Sequence, residues 1–283
     1  MYQIPIIDFD LNHTLYCGQV FRWEKKDDWW MGVVRGSVVR VRQDTGTDVL
    51  WVDSDLPEVV VRWYFRLDDD LSHILSQINR DQYINASIQR YRGLHLIRQE
   101  SWECLISYML ATASNIPRIK KGISMLCQIL GNEIEADHYS FPNASILASA
   151  CEDDISDCKL GFRASRIIKA AGLVAEGELD MDAIIHLDYH EAKQQLMLVE
   201  GIGEKVADCV LLFAFDKMEA FPVDTHVEQV VRSYYGDDEF FGGTVTKMKI
   251  GEWGRSYFGN YCGYAQQYLF YGKRLEGIRS DIR

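Results

Sequence analysis

The sequence predicts an α+β fold in which an N-terminal antiparallel β-sheet precedes a larger, mainly helical body. Three observations carry this. A Trp- and Val-rich run near the N-terminus alternates with period two, most clearly in Ser37-Val38-Val39-Arg40-Val41-Arg42. The pattern changes at Ser54-Asp55-Leu56-Pro57, and beyond it apolar residues recur every three or four positions.

The strand region opens with WWMGVVRGSVVRVRQ, interrupted by Gly32 and Gly36, and repeats in VLWVDSD after the turn-forming DTGTD. Pro57 suits a first helical turn. PEVVVRWYF and DDDLSHILSQI then read as helices, followed by helical spacing in Trp102, Leu105, Tyr108 and Met109 and again in Ile123, Leu126, Cys127 and Leu130. Gly131 and the acidic stretch after it read as a connector. Further helices are predicted at 163–176, 190–199, 204–215, 225–234 and 261–275. The expected division is a sheet domain with connecting helices over 1–80 and a helical domain over 81–283. No repeat or low-complexity segment is present.

With 34 aromatic residues among 283 there is material for a substantial core, and no apolar run approaches the roughly 20 residues that cross a bilayer. No membrane association is expected, and the start, MYQIPIIDFDL, lacks the charged and apolar regions of a secretory signal. Seven scattered cysteines without a C-x-x-C pair point to a reducing, intracellular compartment, the cytoplasm or nucleoid if prokaryotic, and to no zinc or iron–sulfur site. A net charge of −12 argues against a nucleic-acid partner, but the charge is unevenly spread. Residues 131–158 hold seven acids and no Lys or Arg, whereas 86–130 holds six bases against two acids. Basic patches remain available to an anionic ligand.

The segment richest in chemistry is Leu198-Val199-Glu200-Gly201-Ile202-Gly203-Glu204-Lys205-Val206-Ala207-Asp208-Cys209. It reads as a helix end, a tight turn with two glycines and a new helix. Gly201 and Gly203 would let a phosphate approach the N–H groups of that helix start. Taken alone, the motif is equally a plain helix–helix turn. Nineteen residues after Lys205 stands Asp224 in FPVDTH, again at a helix start, where an N-cap is the ordinary role. Two helix starts converging on one pocket would place an amine nucleophile beside a carboxylate that stabilises developing positive charge.

GIGEKVADC, FAFDK and FPVDTH together resemble the 8-oxoguanine DNA glycosylase family of the helix–hairpin–helix base-excision superfamily. CGQVFRW, LIRQESWECLISYMLATASNIPRI, LGFRASRI and GNYCGYAQQYLF extend the likeness along the chain. The resemblance implies an antiparallel sheet packed on a two-lobed helical body with the active site in the cleft between lobes. It also implies a bifunctional glycosylase and abasic-site lyase on double-stranded DNA containing 8-oxoguanine, expected to act as a monomer without a required cofactor.

By this resemblance Lys205 is the nucleophile and Asp224 the matching acid. Gly18 offers its carbonyl to the N7 hydrogen that distinguishes 8-oxoguanine from guanine, Gln266 reads the Watson–Crick edge, and Phe270 and Cys209 sandwich the flipped ring. His226 is either a phosphate contact or an exposed first-turn histidine, and the resemblance favours the former. A structural monovalent cation is implied on the main-chain carbonyls of Met197, Val199 and Ile202. Arg118 and Arg163 match the arginines that grip the orphaned cytosine, with Phe162 as the wedging ring. The asparagine run that fills the vacated stack stands here as Ala113-Ser114-Asn115, without its first asparagine, and Lys273 replaces the acid usual in eukaryotic members.

Two other readings compete. A monofunctional alkylated-purine glycosylase would use water and lack Lys205; a non-catalytic DNA-binding or assembly module would leave the joint occurrence of Lys205, Asp224, Gln266 and Phe270 unexplained. The endonuclease III branch would require four clustered cysteines.

Overall fold

In the computed structural model, which describes residues 1–280, the N-terminal part is a five-stranded antiparallel sheet of order β1-β5-β4-β3-β2. The strands are β1 (Tyr2–Pro5), β2 (Glu24–Lys26), β3 (Trp29–Val34), β4 (Ser37–Gln43) and β5 (Val49–Asp53). Pairing of Ile4 with Leu50 and of Val41 with Val52 puts these side chains and Val39 on one buried face, as the period-two alternation requires. Gly32 is needed because the Trp23 indole lies against it; a Cβ there would fall 2.5 Å from the ring. A short helix, α1 (Leu11–Tyr16), interrupts the strand region where the sequence shows only β patterning, and it starts at Asp10, whose carboxylate accepts from the His13 N–H.

The sheet packs on α2 (Glu58–Phe65), with Val61, Phe65 and the returning Ile97 in the same apolar cluster. The larger cluster takes in α3 (Leu71–Ile78), α4 (Gln82–Arg90), α5 (Ser101–Leu110), α6 (Ile116–Leu130), α7 (Ala144–Ser149), α8 (Arg163–Ala175), α9 (Met181–Ile184), α10 (Tyr189–Met197), α11 (Glu204–Ala214), α12 (Thr225–Tyr234), α13 (Lys247–Phe258) and α14 (Cys262–Ser280). Helix α5 sits at its centre, buried without a break from Cys104 to Leu110. By core packing α3 therefore groups with the helices, through Leu71, Ile74 and Ile78.

The acidic connector contains a small hairpin, β6 (Glu133–Glu135) with β7 (His138–Tyr139), as well as α7. Part of the negative charge is spent inside the fold. Asp70, Asp81, Asp180, Asp188 and Asp224 each cap a helix with a side-chain hydrogen bond, so these carboxylates serve backbone N–H groups that would otherwise lack partners. Among the described residues no helix is long and apolar enough to cross a membrane.

Candidate active site

The turn between α10 and α11 is closed by a hydrogen bond from the Ile202 N–H to the Val199 carbonyl at 3.1 Å. Gly201 has φ +94°, and a Cβ there would lie 2.8 Å from the Arg166 side chain, so both conformation and space demand glycine. Gly203 is the N-cap of α11 and gives it no side-chain cap, while the space around its Cα is open. The first N–H groups of α11 are thus free to meet an anion.

Lys205 stands in this first turn, half-buried, with its ammonium 5.0 Å from the centre of the Tyr108 ring. One turn further, Cys209 lies beside the Lys205 head, and burial pushes its thiol up to about 12. Lys205 therefore stands beside a neutral thiol. Asp224 caps α12 by accepting from the Val227 N–H at 2.8 Å and lies close enough to Cys209 to act on its titration. Lys205, Cys209 and Asp224 thus share one site.

Helix α14 packs on α12. His226, on α12, packs edge-to-face on Phe270 at 5.8 Å. Gly18 has φ +93°, and a Cβ on it would fall 3.4 Å from the Phe270 ring and 2.6 Å from Arg274. Gln266 is only 5% exposed, and its side-chain carbonyl oxygen is buried without a hydrogen-bond partner among the described residues. An unpaired buried amide oxygen costs about 1–3 kcal/mol.

On the far side, Asn115 caps α6 by accepting from the Arg118 N–H at 3.0 Å, and the Arg118 side chain is exposed. Phe162 is 53% exposed, with the guanidinium groups of Arg163 and Arg166 at 4.7 and 5.0 Å from its ring. Arg163 is buried, and its three nitrogens donate to the main-chain carbonyls of Thr112, Leu160 and Ala113 at 2.6, 3.0 and 2.7 Å. It holds the turn in which Ala113 adopts φ +50°.

Residues 1–105 match the family described as 8-oxoguanine DNA glycosylase, N-terminal domain. Along its length the chain is similar to a probable N-glycosylase/DNA lyase of Methanothermobacter thermautotrophicus, with 26% identity over 99% of this chain and 98% of that protein. It is 30% identical to the N-glycosylase/DNA lyase of Saccharomyces cerevisiae, over 80% of this chain and 68% of that protein. Its fold superposes on the crystal structure of the Clostridium acetobutylicum 8-oxoguanine glycosylase/lyase with double-stranded DNA containing cytosine opposite 8-oxoguanine. The TM-score is 0.89 at 31% identity, covering 98% of this chain and 99% of that one. The chain belongs to the 8-oxoguanine DNA glycosylase family.

For a member of this family, the structure adds residues that the motifs do not show. Tyr108 is read from spacing only as a core position, yet it forms the platform under Lys205 and stacks on Phe213 at 5.5 Å. Behind Lys205, on the buried side of α11, Lys193 donates to Asp208 at 3.1 Å and to Glu204. Tyr189 donates to Asp208 at 2.6 Å and accepts from Arg255 at 2.9 Å. Burial raises the Asp208 carboxyl, and Lys193 and Tyr189 oppose that shift. In the sequence these charges look like surface residues of an amphipathic helix; no spacing signal marks them as buried.

Proposed function

We propose that this chain is a base-excision DNA repair enzyme that removes 8-oxoguanine from double-stranded DNA and then cleaves the strand at the abasic site. The observations that carry the reading are that Lys205 and Asp224, at two helix starts, both act on the Cys209 thiol, and that the Gln266 side-chain carbonyl oxygen on α14 is buried with no hydrogen-bond partner among the described residues.

In this reading the N–H groups at the start of α11, together with His226, take phosphates of the damaged strand. The lesion leaves the stack and enters between Cys209 and Phe270. Gln266 receives a hydrogen bond from its Watson–Crick edge, and the Gly18 carbonyl accepts the N7 hydrogen. The neutral amine of Lys205 attacks the sugar C1′ while the bond from C1′ to N9 breaks and its electron pair leaves with the base. Asp224, fixed by its bond to Val227, stabilises the positive charge that builds on the sugar. Loss of the amine proton and opening of the sugar give a Schiff base. Removal of a C2′ proton then expels the 3′ phosphate by β-elimination, and water releases Lys205.

Arg118 and Phe162, both exposed, face the strand opposite the lesion, with Asn115 at the same helix start as Arg118; Arg163, expected to grip the orphaned cytosine, is instead buried on main-chain carbonyls and supports the turn beside them. The same reading puts a monovalent cation on the main-chain carbonyls of Met197, Val199 and Ile202; what supports it is that the Val199 oxygen accepts one N–H and keeps a second lone pair. Such an ion would tie the turn to a phosphate. The enzyme acts as a monomer inside the cell, where its substrate is.

Single-turnover incubation with a duplex containing one 8-oxoguanine, with and without borohydride, tests the proposal. Base release with strand cleavage, and a covalent adduct in borohydride, are expected. Base release with no adduct would instead fit a water-using monofunctional enzyme, and no release would refute the reading.

A further inference from the structure

Tyr16, Cys17, Gly18 and Gln19 form the end of α1 and the turn after it, against Phe270. The main-chain carbonyls on both sides of Gly18 are held by side chains. Arg274 donates to the Tyr16 carbonyl at 2.8 Å and Gln267 to the Cys17 carbonyl at 3.2 Å. Gln99 and Tyr108 both donate to the Gln19 carbonyl, at 2.7 and 3.0 Å. The Gln19 side chain is itself fixed, donating to the carbonyls of Thr14 and His95 and accepting from the Ile97 N–H, each at 2.9 Å. Among the described residues no hydrogen bond reaches the carbonyl of Gly18.

A carbonyl left open between clamped neighbours is a preorganised acceptor. Its rigidity matters for discrimination. Guanine presents an acceptor at N7, so a carbonyl that cannot turn away meets it with lone pair against lone pair, whereas 8-oxoguanine presents a donor there. A mobile carbonyl would relax and discriminate less.

We propose that Arg274 and Gln267 are positioning residues for recognition of the oxidised base, holding the Tyr16 and Cys17 carbonyls so that the Gly18 carbonyl stays aimed at the N7 hydrogen. Helix α14 then carries two sets of residues: Gln266 and Phe270 touch the base, while Gln267 and Arg274 fix the backbone that reads it. The inference rests on the proposed role of Gly18 in 8-oxoguanine excision.

The test compares two reactions of each variant on the same duplex sequence: single-turnover excision of 8-oxoguanine, and borohydride trapping at a preformed abasic site, which needs Lys205 but no base in the pocket. Arg274→Met should lower excision at least about tenfold, the usual scale for losing one held hydrogen bond to a reading group, and leave abasic trapping within about twofold. Gln267→Leu should show the same split, and Arg274→Lys, which keeps a donor, should recover most of the excision. Equal loss of both reactions, as from general misfolding, would overturn the proposal, and so would unchanged excision. A wild-type protein that traps abasic sites but leaves 8-oxoguanine in place would refute the underlying functional reading, an outcome visible before any variant is made.

Discussion

The Lys205 ammonium lies 5.0 Å from the centre of the Tyr108 ring, and the hydroxyl of that same tyrosine donates to the Gln19 carbonyl at 3.0 Å. One side chain of the central helix α5 therefore touches both the nucleophile and the backbone that frames the base pocket. Because Tyr108 is buried and stacked on Phe213, it can move little, and the two halves of the site keep a fixed spacing.

Removing the ring should loosen Lys205. A cation–π contact of this kind contributes about 0.5–2 kcal/mol. Tyr108→Leu is expected to slow borohydride trapping at an abasic site by about threefold to thirtyfold, whereas Tyr108→Phe, which keeps the ring, stays within about threefold of wild type. Equal rates for the leucine variant and wild type would remove Tyr108 from any part in placing the amine.

Asp224 combines a structural and a chemical task, and one substitution separates them. Asn keeps an oxygen for the Val227 N–H, so Asp224→Asn should change stability by less than about 0.5 kcal/mol in urea unfolding. It should nonetheless slow base excision by at least about a hundredfold, because the charge is gone. An active Asp224→Asn enzyme would reduce this residue to a helix cap.

Ala113 occupies a left-handed conformation, φ +50°, which costs a non-glycine residue about 1–2 kcal/mol and which Asn tolerates better than Ala. Ala113→Asn should raise stability by up to about 1 kcal/mol. It should also sharpen a moderate preference of the wild type for cytosine over adenine opposite the lesion, since Asn adds hydrogen-bonding groups where Ala has none. Excision from all four opposite bases, wild type against variant, checks this. Strict cytosine selectivity already in the wild type, or no sharpening, would contradict the role assigned to position 113.

The thiol pushed up to about 12 at Cys209 is protonated throughout the neutral range and shielded from reagents. Iodoacetamide at pH 8 should therefore label the exposed Cys151 in the native protein and spare Cys209, and denaturant should open all seven cysteines. Mass spectrometry of the labelled peptides decides the matter. Native labelling of Cys209 would mean that the site is more open than described.

Much of this was legible in the sequence. The sheet follows from alternation around Val39 and Val41, and Gly201 sits in the hairpin turn and Gly203 and Asp224 at helix N-caps because turn and cap chemistry select those residue types. The missing parts share physical causes. Helix α13 has a weak signal in the sequence because Gly251 and Gly254 lower its helix propensity; Gly254 is there because the Phe221 ring occupies the space where a Cβ would stand, at 2.6 Å. The Lys193–Asp208 pair has no signature in the sequence because only tertiary packing brings the two residues together. Arg163 matches the family motif, but no local pattern reveals that main-chain carbonyls hold its nitrogens.

That buried pair offers a stability test. Lys193 and Asp208 lie at 3.1 Å with little exposure, and breaking a buried pair by removing one partner typically costs about 3–5 kcal/mol. Lys193→Met should destabilise the protein on that scale in urea unfolding, with excision measured below the transition falling far less. A change under about 1 kcal/mol would show that Asp208 is satisfied without Lys193.

The central claim is that Lys205 attacks the sugar. It is tested most directly by borohydride trapping on 8-oxoguanine duplex, followed by protease digestion and mass spectrometry of the linked peptide. The wild type should give an adduct mapped to Lys205 and Lys205→Gln none, although the variant should still bind the damaged duplex because phosphate contacts lie elsewhere. An adduct of equal yield in Lys205→Gln, or one mapped to another amine, would contradict it.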